Sequence, residues 1–138
     1  MNTEKYRLAY SILSKLQVFS NVYINIIIDH NLEIPGLSYK DEMGLPIIRI
    51  NLTKIPVCES TITHVLAHEY GHHVMNHLLD NPRYLSAKEL EFREEEADRY
   101  AKSFLKDCKL NLEPVEQFIR TVSMNNKVMS QRLKILYE

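Results

Sequence analysis

Several things this chain has little of narrow what it can be. Only two cysteines occur among its 138 residues, Cys58 and Cys108, far apart and with no CxxC pair. That excludes a secreted disulfide scaffold and fits reduced thiols in a cytosol. Glycine is scarce at three residues, and there is neither an internal repeat nor a low-complexity tract, so collagen-like and disordered classes fall away. No charge sign is in excess. Lys+Arg number 17 against 18 Asp+Glu, a formal net charge of −1, so a general electrostatic grip on nucleic acid or anionic membrane is not indicated. Long apolar runs are missing too: the Ile26–Ile28 triplet is nowhere near the about 20 residues that a membrane span requires. The first fifteen residues scatter charges through their apolar positions, which is not a signal-peptide core.

What remains is 45% apolar and 25% charged, the make-up of one ordinary domain spanning residues 1–138 and expected in the cytoplasm. A chain of this length buries about two-thirds of its unfolded surface, so folding needs no metal. Leu8, Ile12, Leu13, Leu16 and Phe19 recur at helical spacing and predict an amphipathic first helix over 4–19. Val22–Ile28 is rich in β-branched residues and too short for a helix, hence a strand. After Pro35-Gly36, Leu37–Tyr39 is expected to pair with Ile47–Ile50 across a loop centred on Met43-Gly44. The sheet portion, about 22–51, thus has about three strands, mostly antiparallel. Beyond Pro56 the chain reads as helical: about 60–79, about 86–109 opened by the Ser86/Glu89 capping box, and C-terminal helices over about 112–136. The fold class is α+β, a small sheet packed on a helical half that carries the chemistry.

That chemistry centres on His68-Glu69-Tyr70-Gly71-His72, an HExxH motif. Histidines four apart lie about 40° apart around a helix, so both rings can reach one ion. Glu69, one residue along, can reach a water on that ion without ligating it. Val65, Met75 and Leu79 share the face of the two histidines, which points the imidazoles inward, where unpaired polar groups are costly. A catalytic zinc needs a third protein ligand and an open position. Among Glu94-Glu95-Glu96 only Glu94 is centred on the face made by Ala87, Leu90, Ala97, Ala101 and Leu105. Asp98, one turn on, also points inward and can accept the N–H of a liganding histidine. A His-His-Glu set favours Zn2+ over cations that prefer oxygen. With Glu69 as base, peptide hydrolysis is the natural reaction.

These residues resemble the HExxH plus Glu-x-x-Ala-Asp arrangement of gluzincins, and more fully the ImmA/IrrE metallo-endopeptidases. The resemblance runs from about Gly36 to Leu136. It takes in Pro46–Asn51, Ala67–His73 with His77, Glu94-x-Glu96-Ala97-Asp98-x-Tyr100-Ala101, and a tail of Val122-Ser123 followed by Arg132-Leu133-Lys134-x-Leu136. It implies zinc on His68, His72 and Glu94, with Glu69 as base. It also implies a substrate class, helix-turn-helix repressors of mobile elements or stress regulons. A second reading shares the ligands but not the catalysis: a zinc-stabilised protein that sequesters a regulator or antitoxin.

Other residues have narrower expectations. His64 shares the face of His68, but a third ligand about 6 Å along a straight helix is strained, so a packed or hydrogen-bonding role is favoured. His73 and His77 rotate about 140° and 180° from His68, which predicts surface or helix-packing histidines away from the ion. Tyr39, Tyr84 and His73 are chemically able to stabilise an oxyanion, whereas Tyr70 points away. Gly71 is expected to permit close helix approach. Ile47–Asn51 is either a free edge that an extended substrate could join or an interior strand. From Lys109 to Glu138 the net charge is only +2, too little to favour DNA binding by the tail.

Overall fold

A computed structural model describes residues 3–78 and 84–138. Its elements run α1 (Thr3–Ser20), β1 (Asn25–Ile28), β2 (Gly36–Lys40), β3 (Pro46–Ile50), a 3-10 turn (Leu52–Lys54), α2 (Glu59–Val74), α3 (Ala87–Asp107), α4 (Glu113–Val122) and α5 (Asn126–Leu136). This is the α+β architecture expected, with a leading helix, a three-stranded sheet and a helical half.

The sheet order is β1-β3-β2. β2 and β3 form the expected antiparallel hairpin, with Tyr39 opposite Ile47 and Leu37 opposite Arg49. The Asp41 side chain closes its loop by accepting the N–H groups of Met43 and Leu45, and Gly44 supplies the one positive φ the turn needs, +79°. β1 pairs with β3 in parallel, Asn25 opposite Ile47 through Ile28 opposite Ile50. The sheet is therefore mixed, because β1 docks on the far side of β3 and not beside its sequence neighbour β2. This also settles the position of Ile47–Asn51: it is the interior strand, with Ile48 and Ile50 fully buried. The two edge strands among the described residues are β1 and β2.

Asn51 pins the segment entering β2. Its amide donates to the carbonyls of His30 and Leu32, and its backbone N–H donates to Pro35. Gly36 is thereby delivered against α2. That helix is the centre of the molecule, buried along nearly its whole length from Ser60 to His73. Its apolar contacts join α1, the sheet and α3 in one core that includes Leu16, Ile48, Ile62, Leu66, Tyr70 and Phe104. A smaller cluster, Leu105, Val115, Ile119 and Leu136, fastens α4 and α5 onto the end of α3.

α2 and α3 run antiparallel: residues later in α2 meet residues earlier in α3. Gly71 permits this approach, since a Cβ there would lie 3.1 Å from Ala97 Cα and 3.1 Å from Tyr100 Cβ. α2 stops at Val74, five residues short of the expected end. Asn76 takes a left-handed φ of +57°, its N–H bonds back to His73, and the N–H of His77 bonds back to His72 at 3.0 Å. This is a Schellman termination with asparagine at the left-handed position. Leu79, expected to close the helix, lies outside the described residues.

Candidate metal centre

One face of α2 presents His68 and His72, and α3 brings Glu94 across to them. Glu94 Oε2 is 3.0 Å from His68 Nε2, Glu94 Oε1 is 3.4 Å from His72 Nε2, and the two Nε2 atoms are 3.2 Å apart. Donors bonded at about 2.1 Å around a tetrahedral zinc stand about 3.4 Å from one another. The group His68, His72 and Glu94 can hold a metal ion.

The surrounding hydrogen bonds argue the same way. His68 Nδ1 lies 2.8 Å from Asp98 Oδ1, and His72 Nδ1 lies 2.9 Å from His77 Nδ1. With the ring protons committed to those bonds, both Nε2 lone pairs converge on a carboxylate, three acceptors that only a cation satisfies together. A proton can serve as that cation. Burial opposes charge on His68, but its bonds to Asp98 and Glu94 outweigh it, and the ring is pushed up to about 10. Glu94 is held well below the usual carboxylate range: partial burial works against it, and the two histidines win. A metal binding here must displace the His68 proton, so its affinity rises with pH.

Glu94 departs from the expectation of a buried face. Its side chain is 62% exposed, whereas Asp98 one turn later is 4% exposed. The cause lies along α3: Ala87, Leu90 and Glu94 precede its contact with Gly71 of α2, and the same face is covered only from Ala97 onward. Glu94 therefore stands at the mouth of a cleft while His68 and His72, 14% and 12% exposed, form its floor.

Glu69 lies beside the histidines and is itself buried. Burial pushes its carboxyl up, against the pull of His68 and His72. β2 holds it in place. The Ser38 hydroxyl donates to the Glu69 carbonyl at 3.0 Å, and a Cβ on Gly36 would come within 3.0 Å of Glu69 Cγ. A side chain at position 36 would press on the Glu69 arm and on Ile50, so glycine eases the approach of the strand to the carboxylate.

Asp98 is buried between His68 and Arg132, whose Nε and Nη2 donate to it at 2.9 and 3.0 Å. Burial raises its pKa, but the His68 bond and the Arg132 charge keep it well below its usual value. His64 sits one turn back, 3.9 Å from Asp98, and is no part of the ligand group. Desolvation lowers it to about 3, so it is neutral.

Of the two outlying histidines, His73 packs as expected and His77 does not. His73 is a helix–sheet packing residue, its Nε2 2.9 Å from the Ile47 carbonyl. His77 is neither on the surface nor distant, because the early end of α2 folds it back onto His72 and onto Glu96 Oε1 at 3.1 Å. The oxyanion candidates do not reach the cleft. Tyr39 faces the other side of the sheet and accepts from Arg49, His73 is tied to β3, and Tyr84 is 85% exposed. Polar side chains that do line it include Ser38, His64, His77, Arg93 and Arg132. Of these, Arg132 was visible in the sequence only as part of the tail motif. Gly36 and Ser38 carried no signal beyond a turn and a strand.

The cleft measures about 400 Å³, walled by Gly36–Ser38 of β2 on one side and by Phe118 and Val122 of α4 on another. No helix among the described residues is long and apolar enough to cross a membrane. Comparisons with protein-family models, with curated proteins and with solved structures found no match to this chain. The functional reading therefore rests on the three converging ligand atoms and the carboxylate beside them.

Proposed function

We propose that this protein is a zinc-dependent endopeptidase that hydrolyses a peptide bond in a protein partner. The observation that carries the reading is the pairing of two features: a His68-His72-Glu94 group at tetrahedral spacing, and a buried, upward-shifted Glu69 beside it. A structural zinc site uses four protein ligands, whereas three with an open side facing a cleft is the catalytic pattern.

Zinc held there would polarise the scissile carbonyl and lower the pKa of water toward about 7. The chain's own groups do the rest. Glu69 accepts a proton from the attacking water and returns it to the departing amine nitrogen, a role its raised pKa suits. The free edge of β2 can pair with an extended substrate backbone, whose bond then lies over Glu69 because Gly36 touches that side chain. Apolar walls at Leu90, Phe118 and Val122 favour an apolar side chain next to the cut. The motif resemblance to ImmA/IrrE endopeptidases supports a helix-turn-helix repressor as the partner and the cytoplasm as the compartment.

The test is mass spectrometry of a candidate repressor incubated with zinc-loaded protein. The parent should produce two fragments. Glu69→Gln should bind about one zinc per chain and cut at least about 100-fold more slowly. Equal cutting by Glu69→Gln, or no stoichiometric metal in the parent, overturns the proposal. A partner bound but left whole by the parent points to sequestration instead.

A further inference from the structure

We propose that His77 and Glu96 form a relay that positions the ligand His72, fixing its tautomer and ring angle and so setting the zinc affinity of the centre. The proposal rests on the metal-site reading above and concerns residues that are not ligands.

The hydrogen bonds allow one consistent assignment. If His72 Nε2 is to ligate, its proton sits on Nδ1, and the atom facing that proton at 2.9 Å is His77 Nδ1. His77 Nδ1 must then accept, which leaves the His77 proton on Nε2, where Glu96 Oε1 waits 3.1 Å away. Each link dictates the next, from an acidic side chain on α3 through a neutral ring to the ligand. The His77 side chain is only 5% exposed, so water does not compete for these bonds. The backbone is fixed as well. The Schellman turn bonds His77 N–H to the His72 carbonyl, and the Arg93 guanidinium donates to the His77 carbonyl. α3 thus holds His77 at two points, through Arg93 and Glu96, while supplying Glu94 to the centre itself.

The geometry separates this role from packing. A packing histidine needs volume; this one needs an acceptor toward His72 and a donor toward Glu96. Glutamine can supply both and leucine neither. The measurement is zinc affinity of purified full-length variants, read by competition with a chromophoric chelator, together with the visible spectrum of the cobalt-substituted protein. His77→Leu should weaken zinc binding by about 10- to 100-fold and alter the cobalt bands. His77→Gln should recover most of that loss. Glu96→Ala, at a more open position, should weaken binding several-fold while the metal-free protein keeps its unfolding midpoint. If His77→Leu fails to fold, the Glu96→Ala and His77→Gln pair still decides the matter. Parent-like zinc affinity in folded His77→Leu, or in Glu96→Ala, overturns the relay. Glu94→Ala serves as the control: if it too leaves zinc affinity unchanged, the metal site fails and not merely its support.

Discussion

The two histidines of the candidate metal group sit one turn apart on α2, yet they are held by opposite means. His68 bonds directly to a buried carboxylate, Asp98, which a bidentate Arg132 from α5 fixes in turn. His72 bonds to a neutral ring, His77, and reaches its carboxylate, Glu96, only through it. The first support ties the centre to the C-terminal helix and places a buried ion pair in the protein. The second is local, built from a helix end and the helix opposite. The charge-dense support is therefore expected to matter for both fold and metal, and the local one for metal alone.

The largest effect should come from breaking the first support. Asp98→Ala leaves Arg132 without its partner in a mostly covered position, and the metal-free protein should lose about 2–3 kcal/mol in urea unfolding. Zinc affinity should fall about 10- to 100-fold as well. Adding Arg132→Met should restore much of the stability and none of the affinity. If Asp98→Ala and Glu96→Ala cost the same stability, the contrast between the two supports is wrong.

A third ring on that face, His64, sharpens the contrast through pH. His64 is lowered from 6.5 to about 3 and His68 is raised from 6.5 to about 10. Below pH 6.5 the unfolded chain protonates His64 and the folded chain does not, so stability falls as pH drops. Above 6.5 the folded chain keeps the His68 proton that the unfolded chain has lost, so stability falls as pH rises toward 10. These two groups should each contribute a slope of roughly 1 kcal/mol per pH unit on either side of about pH 6.5, while the raised carboxyl of Glu69 opposes the acid-side slope above its unfolded value. Burial lowers His73 and His77 in the same direction as His64. His64→Leu should flatten the acid side by one proton and leave the alkaline side alone. An unchanged acid slope would show that His64 takes up its proton in the folded state.

The smallest expected effect concerns the base and not the metal. Gly36→Ala puts a methyl within 3.0 Å of Glu69 Cγ, and the flexible carboxylate arm must give way. Turnover should drop about tenfold with about 1 kcal/mol of stability lost, while zinc affinity stays at the parent value. A fall in zinc affinity would mean that β2 supports the ligands themselves.

The convergence of His68, His72 and Glu94 was legible in the sequence because a helix enforces its own spacing. Histidines four apart must share a face, and one glutamate of three must align with the small residues Ala97 and Ala101. The hairpin was legible from Pro35-Gly36 and Gly44. His77 was not, since helical periodicity placed it opposite His68. Only the left-handed residue at Asn76 breaks that period, and asparagine there is permitted but not compelled. The parallel docking of β1 was hidden for another reason: a short β-branched strand can pair in either direction, and the choice depends on which side of β3 is open. The exposure of Glu94 depends on where along α3 the contact with Gly71 begins.

Composition and periodicity by themselves determined an α+β chain with two histidines and an acid aimed at one point, because those facts follow from local geometry repeated along each helix. The tertiary structure alone decided which groups hold the ligands, which strands lie at the sheet edges and how open the centre is. Those are matters of distance between residues far apart in the chain, and backbone preferences a few residues long cannot measure them.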